Sequence, residues 1–266
     1  MTEIAGAEPP LLRMRGISKR FGAVQALQDV DFECGAGEVV ALVGDNGAGK
    51  STLIKVIAGT NPADDGEIWF DERKVRIHTP QAAVDLGIST VYQDLALCDN
   101  LDVVANLFVG RERAHGLGRN LRWLDDIAME RDSKDLLDQL AINIPSVRTE
   151  VASLSGGQRQ SIAVARATMG GPRLVILDEP TAALGVAQTR QVLDLVKTIR
   201  DQGLGTIVIS HNLVDVFEVA DRIVVLRLGQ RVATFRTADT TPSDVVAAIT
   251  GADEREVRAT YVRESS

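Results

Sequence analysis

The residues GDNGAGKST, Gly44 to Thr52, constrain this chain more than any other stretch. They match G-x-x-x-x-G-K-[ST] and follow directly on the apolar run VVALV, with a small-residue helix expected behind them as far as about Ala58. Strand, glycine-rich turn and helix in that order make a phosphate cradle. Backbone N–H groups of Gly44, Asp45, Asn46, Gly47, Ala48 and Gly49 wrap anionic oxygens, Lys50 neutralises them, and the Ser51 hydroxyl, with Thr52 beside it, is placed to ligate Mg²⁺. A turn that served only strand-to-helix packing leaves the lysine and the serine without a reason. Nucleotide binding follows, and with it an α/β fold.

Two more apolar runs, RLVILDEP and GTIVISH, bracket the helical stretch AQTRQVLDLVKTIRDQG. That is the pattern of parallel strands buried on both faces and joined by a crossover. Ligands of an open parallel sheet sit beyond the carboxyl ends of its strands, which is where Asp178 and Glu179 fall. Adjacent carboxylates there divide the labour: Asp178 holds Mg²⁺, and Glu179 orients or deprotonates the attacking water. Gln93 after STVY and His211 after TIVIS also end strands. Alone, either reads as readily as a surface residue; beside the same sheet edge, each is within reach of a γ-phosphate or its water. Phe21, in KRFGAV, either stacks on an adenine ring or packs in the core, and the residues alone favour the core.

The stretch from Leu11 to Val75 reads as β-rich, residues 94–170 as a helical insertion, and RIVVLRLGQRVATF with a short helix near Val245 as the close of one domain spanning 11–250. Residues 1–10 and 252–266 are expected to be flexible tails. With 45% apolar residues in 266 the chain can bury a core. A net charge of -8 argues against a broad nucleic-acid face. Cys34 and Cys98 lack metal or CxxC spacing and read as small buried hydrophobes of a reducing cytoplasm. No apolar run approaches the roughly 18 residues of a membrane span, so membrane association must come through a partner.

The segment ASLSGGQRQSIAVARA, 152–167, starts a helix with two adjacent glycines. Ser155 and Gln158 fit a capping box. Gly156 and Gly157 do not follow from it, since each costs roughly 1 kcal/mol against alanine in a helix. Something must approach the backbone closely there, and an anion at a helix start is the natural visitor. No lysine stands nearby to complete a phosphate site, so that phosphate is held mainly elsewhere.

With GDNGAGKST, YQD, LSGGQ, LVILDEP and SH in that order, the chain resembles the nucleotide-binding subunits of ABC transporters over nearly its whole length. The resemblance implies a P-loop RecA-like core with an antiparallel β subdomain and a helical subdomain, and ATP held between two such domains arranged head to tail. Lys50, Ser51, Gln93, Asp178, Glu179 and His211 match the family's phosphate, Mg²⁺, water-activating and γ-phosphate-sensing positions, with Ser51, Gln93 and Asp178 at the metal. Phe21 matches the aromatic that stacks on adenine, reversing the reading made from the residues alone. Ser155, Gly156, Gly157 and Gln158 then face the ATP of the partner copy, which supplies the missing lysine.

TPQAAVDLGISTVYQDLALCDNLDVVANLFVGRE and SHNLVDVFEVADRIVVLRLGQRV are most similar to the ATPases of simple-sugar importers of the ribose, xylose and fructose kind. Such proteins commonly carry the motif set twice, whereas here it occurs once, so the resemblance implies a homodimer. It also implies integral membrane permease subunits, docked between Gln93 and the helical insertion, and indirectly a sugar-binding protein, with the chain peripheral on the cytoplasmic face of the membrane. Gly185 departs from the pattern: many relatives have aspartate there, at a position of crosstalk across the dimer. The alternative, a non-transport ATPase of the same family acting on nucleic acid or ribosomes, predicts coiled-coil insertions or basic arms that this sequence lacks. A regulatory module without turnover is disfavoured by the intact Lys50, Asp178, Glu179 and His211.

Overall fold

The computed structural model describes residues 9–115 and 123–252. In chain order, β1 (Leu12–Phe21) and β2 (Val24–Cys34) pair antiparallel, and β3 (Val39–Val43) leads through the glycine turn into α1 (Lys50–Ile57). The chain then returns as β4 (Asp65–Phe70) and β5 (Arg73–Val75), completing an antiparallel sheet in the order β2-β1-β4-β5. Helix α2 (Pro80–Asp85) precedes β6 (Ile88–Val91). The insertion follows: α3 (Val103–Phe108), a hairpin of β7 (Ala114–His115) with β8 (Trp123–Leu124), α4 (Asp126–Gln139) and α5 (Gly156–Thr168). The chain ends with β9 (Leu174–Asp178), α6 (Val186–Asp201), β10 (Gly205–Ile209), α7 (Leu213–Val219), the antiparallel pair β11 (Arg222–Arg227) and β12 (Gln230–Arg236), and α8 (Pro242–Thr250). The expected tails, apart from Pro9, Pro10 and Ala252, lie outside the described residues.

The central sheet runs β12-β11-β3-β10-β9-β6, with every neighbouring pair parallel except β11 with β12. Its strands are apolar throughout because both faces are covered, and the period-two alternation sorts them between two cores. Val39, Ala41, Val43, Val175, Leu177 and Val208 join the core under the insertion, α6 and α7. Val40, Leu42, Leu174, Ile176, Ile207 and Ile209 join the core shared with α1 and the antiparallel sheet. One layer of parallel strands therefore holds a β subdomain on one face and helices on the other, as the sequence predicts. The short antiparallel pair of β7 and β8 is an addition to the expected helical insertion.

Between β6 and α3 the chain is pinned to the insertion by two polar side chains. The fully buried Asn106 accepts from the N–H of Cys98 at 2.7 Å and donates to the carbonyls of Cys98, Leu101 and Asp102 at 2.9, 3.2 and 3.0 Å. From α5, Arg166 donates to the carbonyls of Leu95 and Ala96, each at 2.8 Å. These bonds hold the loop by its backbone and leave the Cys98 thiol facing out. Cys98 is thus exposed, against the expectation that both cysteines are buried; Cys34 is buried, and burial pushes its thiol pKa far up.

Candidate active site

All the polar residues read as ending strands gather at one edge of the central sheet. The registers place Leu42 beside Ile209, Ile209 beside Asp178 and Leu177 beside Val91. The turns that follow those strands carry the phosphate loop, His211, Glu179 and Gln93. Parallel strands cut at a common level make this edge by construction.

The loop from Gly44 to Gly49 takes its shape from crowding behind it. A Cβ on Gly44 would lie 2.1 Å from the carbonyl oxygen of Leu226, so that residue must be glycine for β3 to run beside β11 and still turn. Asp45, Asn46 and Gly47 are exposed on the other side, as is Ser51 in the first turn of α1, with Thr52 half-buried beside it and Ala48 buried beneath. Lys50 folds its side chain back over the loop and donates to the carbonyls of Gly44 and Asp45 at 2.6 and 3.0 Å. Its ammonium is therefore held over the loop, an arrangement that attracts anionic oxygens.

Asp178 ends β9 half-buried, and its pKa is raised by burial and by the adjacent Glu179, with Lys50 and Lys55 pulling it back down. Glu179 adopts φ 52°, a left-handed conformation that costs a non-glycine residue on the order of 1–3 kcal/mol. Its N–H donates to the carbonyl of Ile209 at 2.9 Å, which fixes the turn against β10. The side chain then reaches His211: Nδ1 donates to Oε2 at 2.7 Å, with His211 mostly exposed and Glu179 mostly covered. Since Nδ1 is committed to the carboxylate, Nε2 is the ring nitrogen left for a ligand. Gln93 is exposed two residues beyond β6. A carboxylate oriented by an imidazole beside a lysine-covered anion loop is suited to activating water against a phosphoryl group.

Phe21 ends β1 at 46% exposure with the Lys19 ammonium 5.6 Å from its ring centroid, so it is not a core residue. Asp215 went unread. This buried carboxylate accepts from Thr181 Oγ1 at 2.6 Å and ties the turn after Glu179 to the helix after His211. Its one sequence signal is a lone acid between valines in LVDVF.

Ser155 caps α5 as predicted. Its Oγ accepts from the N–H of Gln158 at 3.3 Å, and Gln158 Oε1 accepts from the N–H of Ser155 at 3.1 Å. The two glycines, however, have different reasons. A Cβ on the buried Gly157 would meet Cβ and Cγ of Gln188 in α6 at 2.8 and 2.9 Å, so close packing within the chain already requires glycine there. On Gly156 the nearest atom would be the tip of Leu184 at 3.3 Å, and this glycine is half-exposed. Packing within the chain thus gives Gly157 a reason of its own beside any outside visitor, whereas nothing within the chain requires glycine at 156. The cleft beside this helix start is bordered by Asn143, Ser155, Gln158, Gln188 and Gln191 and by no residue of the phosphate loop. Gly185 starts α6 with its N–H donating to Gln188 Oε1 at 3.3 Å.

The chain is similar to known proteins over nearly its whole length. The profile of the family described as ABC transporter matches residues 27–182. The chain is 47% identical to the fructose import ATP-binding protein of Rhizobium meliloti over 93% of its own length and 96% of that protein's. It is 45% identical to the xylose/arabinose import ATP-binding protein of Sulfolobus acidocaldarius, covering 90% and 94%. Among solved structures, the ADP conformation of an ATP-binding cassette of an ABC transporter superposes with a TM-score of 0.79 at 25% identity, over 95% of this chain and 99% of that one. The chain belongs to the ABC transporter family of ATP-binding proteins.

Proposed function

We propose that this chain is the ATP-hydrolysing subunit of an importer for a simple sugar, a single ABC-type domain over residues 11–250. The names of its relatives, import ATP-binding proteins for fructose and for xylose or arabinose, support transport over action on nucleic acid or ribosomes. The observation that carries the chemistry is the 2.7 Å pair of His211 and Glu179 at the sheet edge that also bears the Lys50 loop.

In this reading the loop from Gly44 to Thr52 holds the triphosphate and Phe21 stacks on the adenine. Glu179 takes a proton from water as it attacks the γ-phosphorus, His211 positions that carboxylate and senses the phosphate, and Gln93 reports its presence to the insertion. Mg²⁺ suits the donor set of Ser51, Gln93 and Asp178, which is all oxygen, as a hard ion that keeps several waters requires. The raised pKa of Asp178 fits as well, since burial and the neighbouring Glu179 disfavour its charge and Lys50 and Lys55 offset them only in part. A bound cation there neutralises charge on the phosphates.

Ser155, Gly156, Gly157 and Gln158 belong to the ATP of a second copy, giving a head-to-tail homodimer. Their cleft, separate from the phosphate loop, supports this. ATP then joins the copies, and its hydrolysis releases them, a closure and opening that can drive a partner. Among the described residues no helix is long and apolar enough to cross a membrane. The chain works on the cytoplasmic face, bound to integral membrane permease subunits that take sugar from a binding protein.

Glu179→Gln tests the reading: ATP still binds, turnover falls by about 10²-fold or more, and light scattering shows an ATP-dependent dimer. A variant that stays monomeric in ATP contradicts the shared site. Uptake of labelled fructose, xylose and ribose by cells with and without the chain identifies the cargo, and unchanged uptake of all three contradicts the sugar assignment.

A further inference from the structure

Phe21 stands near the tip of a hairpin whose own ladder does not fix it. Pairing of β1 with β4 stops at Ser18 and Asp65, short of the ring. Pairing with β2 continues to Phe21 opposite Val24, but its register shifts between Ile17 and Lys19 and again between Lys19 and Arg20. Such irregularities bend and twist a strand, so the direction in which Phe21 points depends on what else holds the segment. Beyond it Gly22 turns at φ 57° with open space around it, and Val24 is exposed.

Asp64 supplies that hold from outside the hairpin. Its carboxylate accepts from the Lys19 ammonium and from the N–H of Arg20, each at 2.7 Å, and its own N–H donates to the carbonyl of Ser18 at 2.9 Å. A single residue just before β4 thus grips Ser18, Lys19 and Arg20 in succession. The Lys19 bond first, and then the Arg20 N–H, lowers the pKa of Asp64, so the carboxylate stays charged at neutral pH. Held this way, the Lys19 side chain is only 15% exposed, and its ammonium lies over the Phe21 ring, 5.6 Å from the centroid. A covered cation at that distance attracts the negative face of the ring. It also draws electron density away from the opposite face, which otherwise repels the π cloud of a base laid upon it.

We infer that Lys19 and Asp64 are positioning residues of the nucleotide-base platform: Asp64 holds the Lys19 ammonium against one face of Phe21, which fixes the ring and makes its other face a better partner for a purine. The inference rests on the reading that Phe21 stacks on adenine and adds to it the two groups that set the ring. Both act on the base alone, since neither belongs to the phosphate loop.

The test is calorimetric titration of the purified full chain with ATP and with inorganic tripolyphosphate, which carries the phosphates and no base. Lys19→Met keeps the length of the side chain and removes its charge; it is expected to weaken ATP about two- to fivefold and to leave tripolyphosphate at the wild-type affinity, which also shows that the variant folds. Asp64→Ala gives the same pattern, and Lys19→Arg keeps most of the ATP affinity. Phe21→Ala weakens ATP at least about fivefold, and adding Lys19→Met to it changes nothing more. Where Phe21→Ala does weaken ATP, three results overturn the roles of Lys19 and Asp64 and leave the stacking reading standing. These are an ATP affinity unmoved by Lys19→Met or Asp64→Ala, an equal loss for tripolyphosphate, and a Lys19→Arg chain as weak as Lys19→Met. A Phe21→Ala chain that binds ATP as tightly as wild type overturns both.

Discussion

Replacing Gly156 and Gly157 singly by alanine separates what the fold needs at the start of α5 from what a second copy would need. On Gly157 the new Cβ falls 2.8 Å from Cβ of Gln188 and 2.9 Å from its Cγ. The crowded atoms lie at the root of that side chain, so α5 and α6 must move apart. Overpacking of this kind costs about 1–3 kcal/mol, and the gain in helix propensity returns roughly 1. Gly157→Ala is therefore neutral to about 2 kcal/mol less stable. On Gly156 the only close atom, 3.3 Å away, is the movable tip of Leu184. There the propensity gain dominates, and Gly156→Ala is more stable by up to about 1 kcal/mol, a rise in Tm of about 2–4 °C for a domain of this size. Turnover moves differently. If the first-turn N–H groups of α5 take up a phosphate from a partner, a methyl at either position obstructs it, and both variants lose ATPase activity. Urea unfolding and a phosphate-release assay on the same preparations decide the matter. A Gly156→Ala chain that is stable and fully active would show that nothing approaches this backbone. A Gly157→Ala chain more stable than wild type would refute the packing argument.

Asp178→Asn should raise the Tm of the nucleotide-free chain at neutral pH. A carboxyl whose folded pKa lies above its unfolded value destabilises the fold once both states are ionised, and the penalty fades as pH falls through the folded pKa. Scanning calorimetry should thus show the advantage of asparagine shrinking toward acid pH; an advantage independent of pH would contradict the raised pKa. Asn106→Ala leaves the N–H of Cys98 without its acceptor, while the carbonyls of Cys98, Leu101 and Asp102 keep their backbone donors, at a cost of about 1–3 kcal/mol in urea unfolding, and a midpoint equal to wild type would mean that water replaces the amide freely.

Much of this architecture is legible from local chemistry, and what is not depends on distant partners. VVALV, LVILD and TIVIS announce strands buried on both faces, and glycine, lysine and acids at their carboxyl ends announce the site. Helix α2 also had a readable signal, Thr79 capping Pro80, its side chain accepting from the N–H of Ala82 at 3.2 Å. For Asp215 and Gly157 the sequence marks the residue but not its partner. The first is decided by Thr181, 34 residues earlier, and the second by Gln188 on another helix. Cys98 was read as buried on residue type, but its exposure follows from Asn106 gripping the neighbouring backbone. The pairing of His211 with Glu179 lies between: each was placed at a strand end, but only the β9–β10 register brings them to 2.7 Å.

The shared site is tested most directly by mixing two inactive variants. Lys50→Ala disables the phosphate loop and leaves the signature intact; Ser155→Arg blocks the signature and leaves the phosphate loop intact. In an equal mixture half the dimers pair unlike chains, and each of those contains one site built from a sound loop of one copy and a sound α5 of the other. ATPase activity should then return to about a quarter of the wild-type rate. A mixture no more active than its separate components would mean that one copy completes its own site.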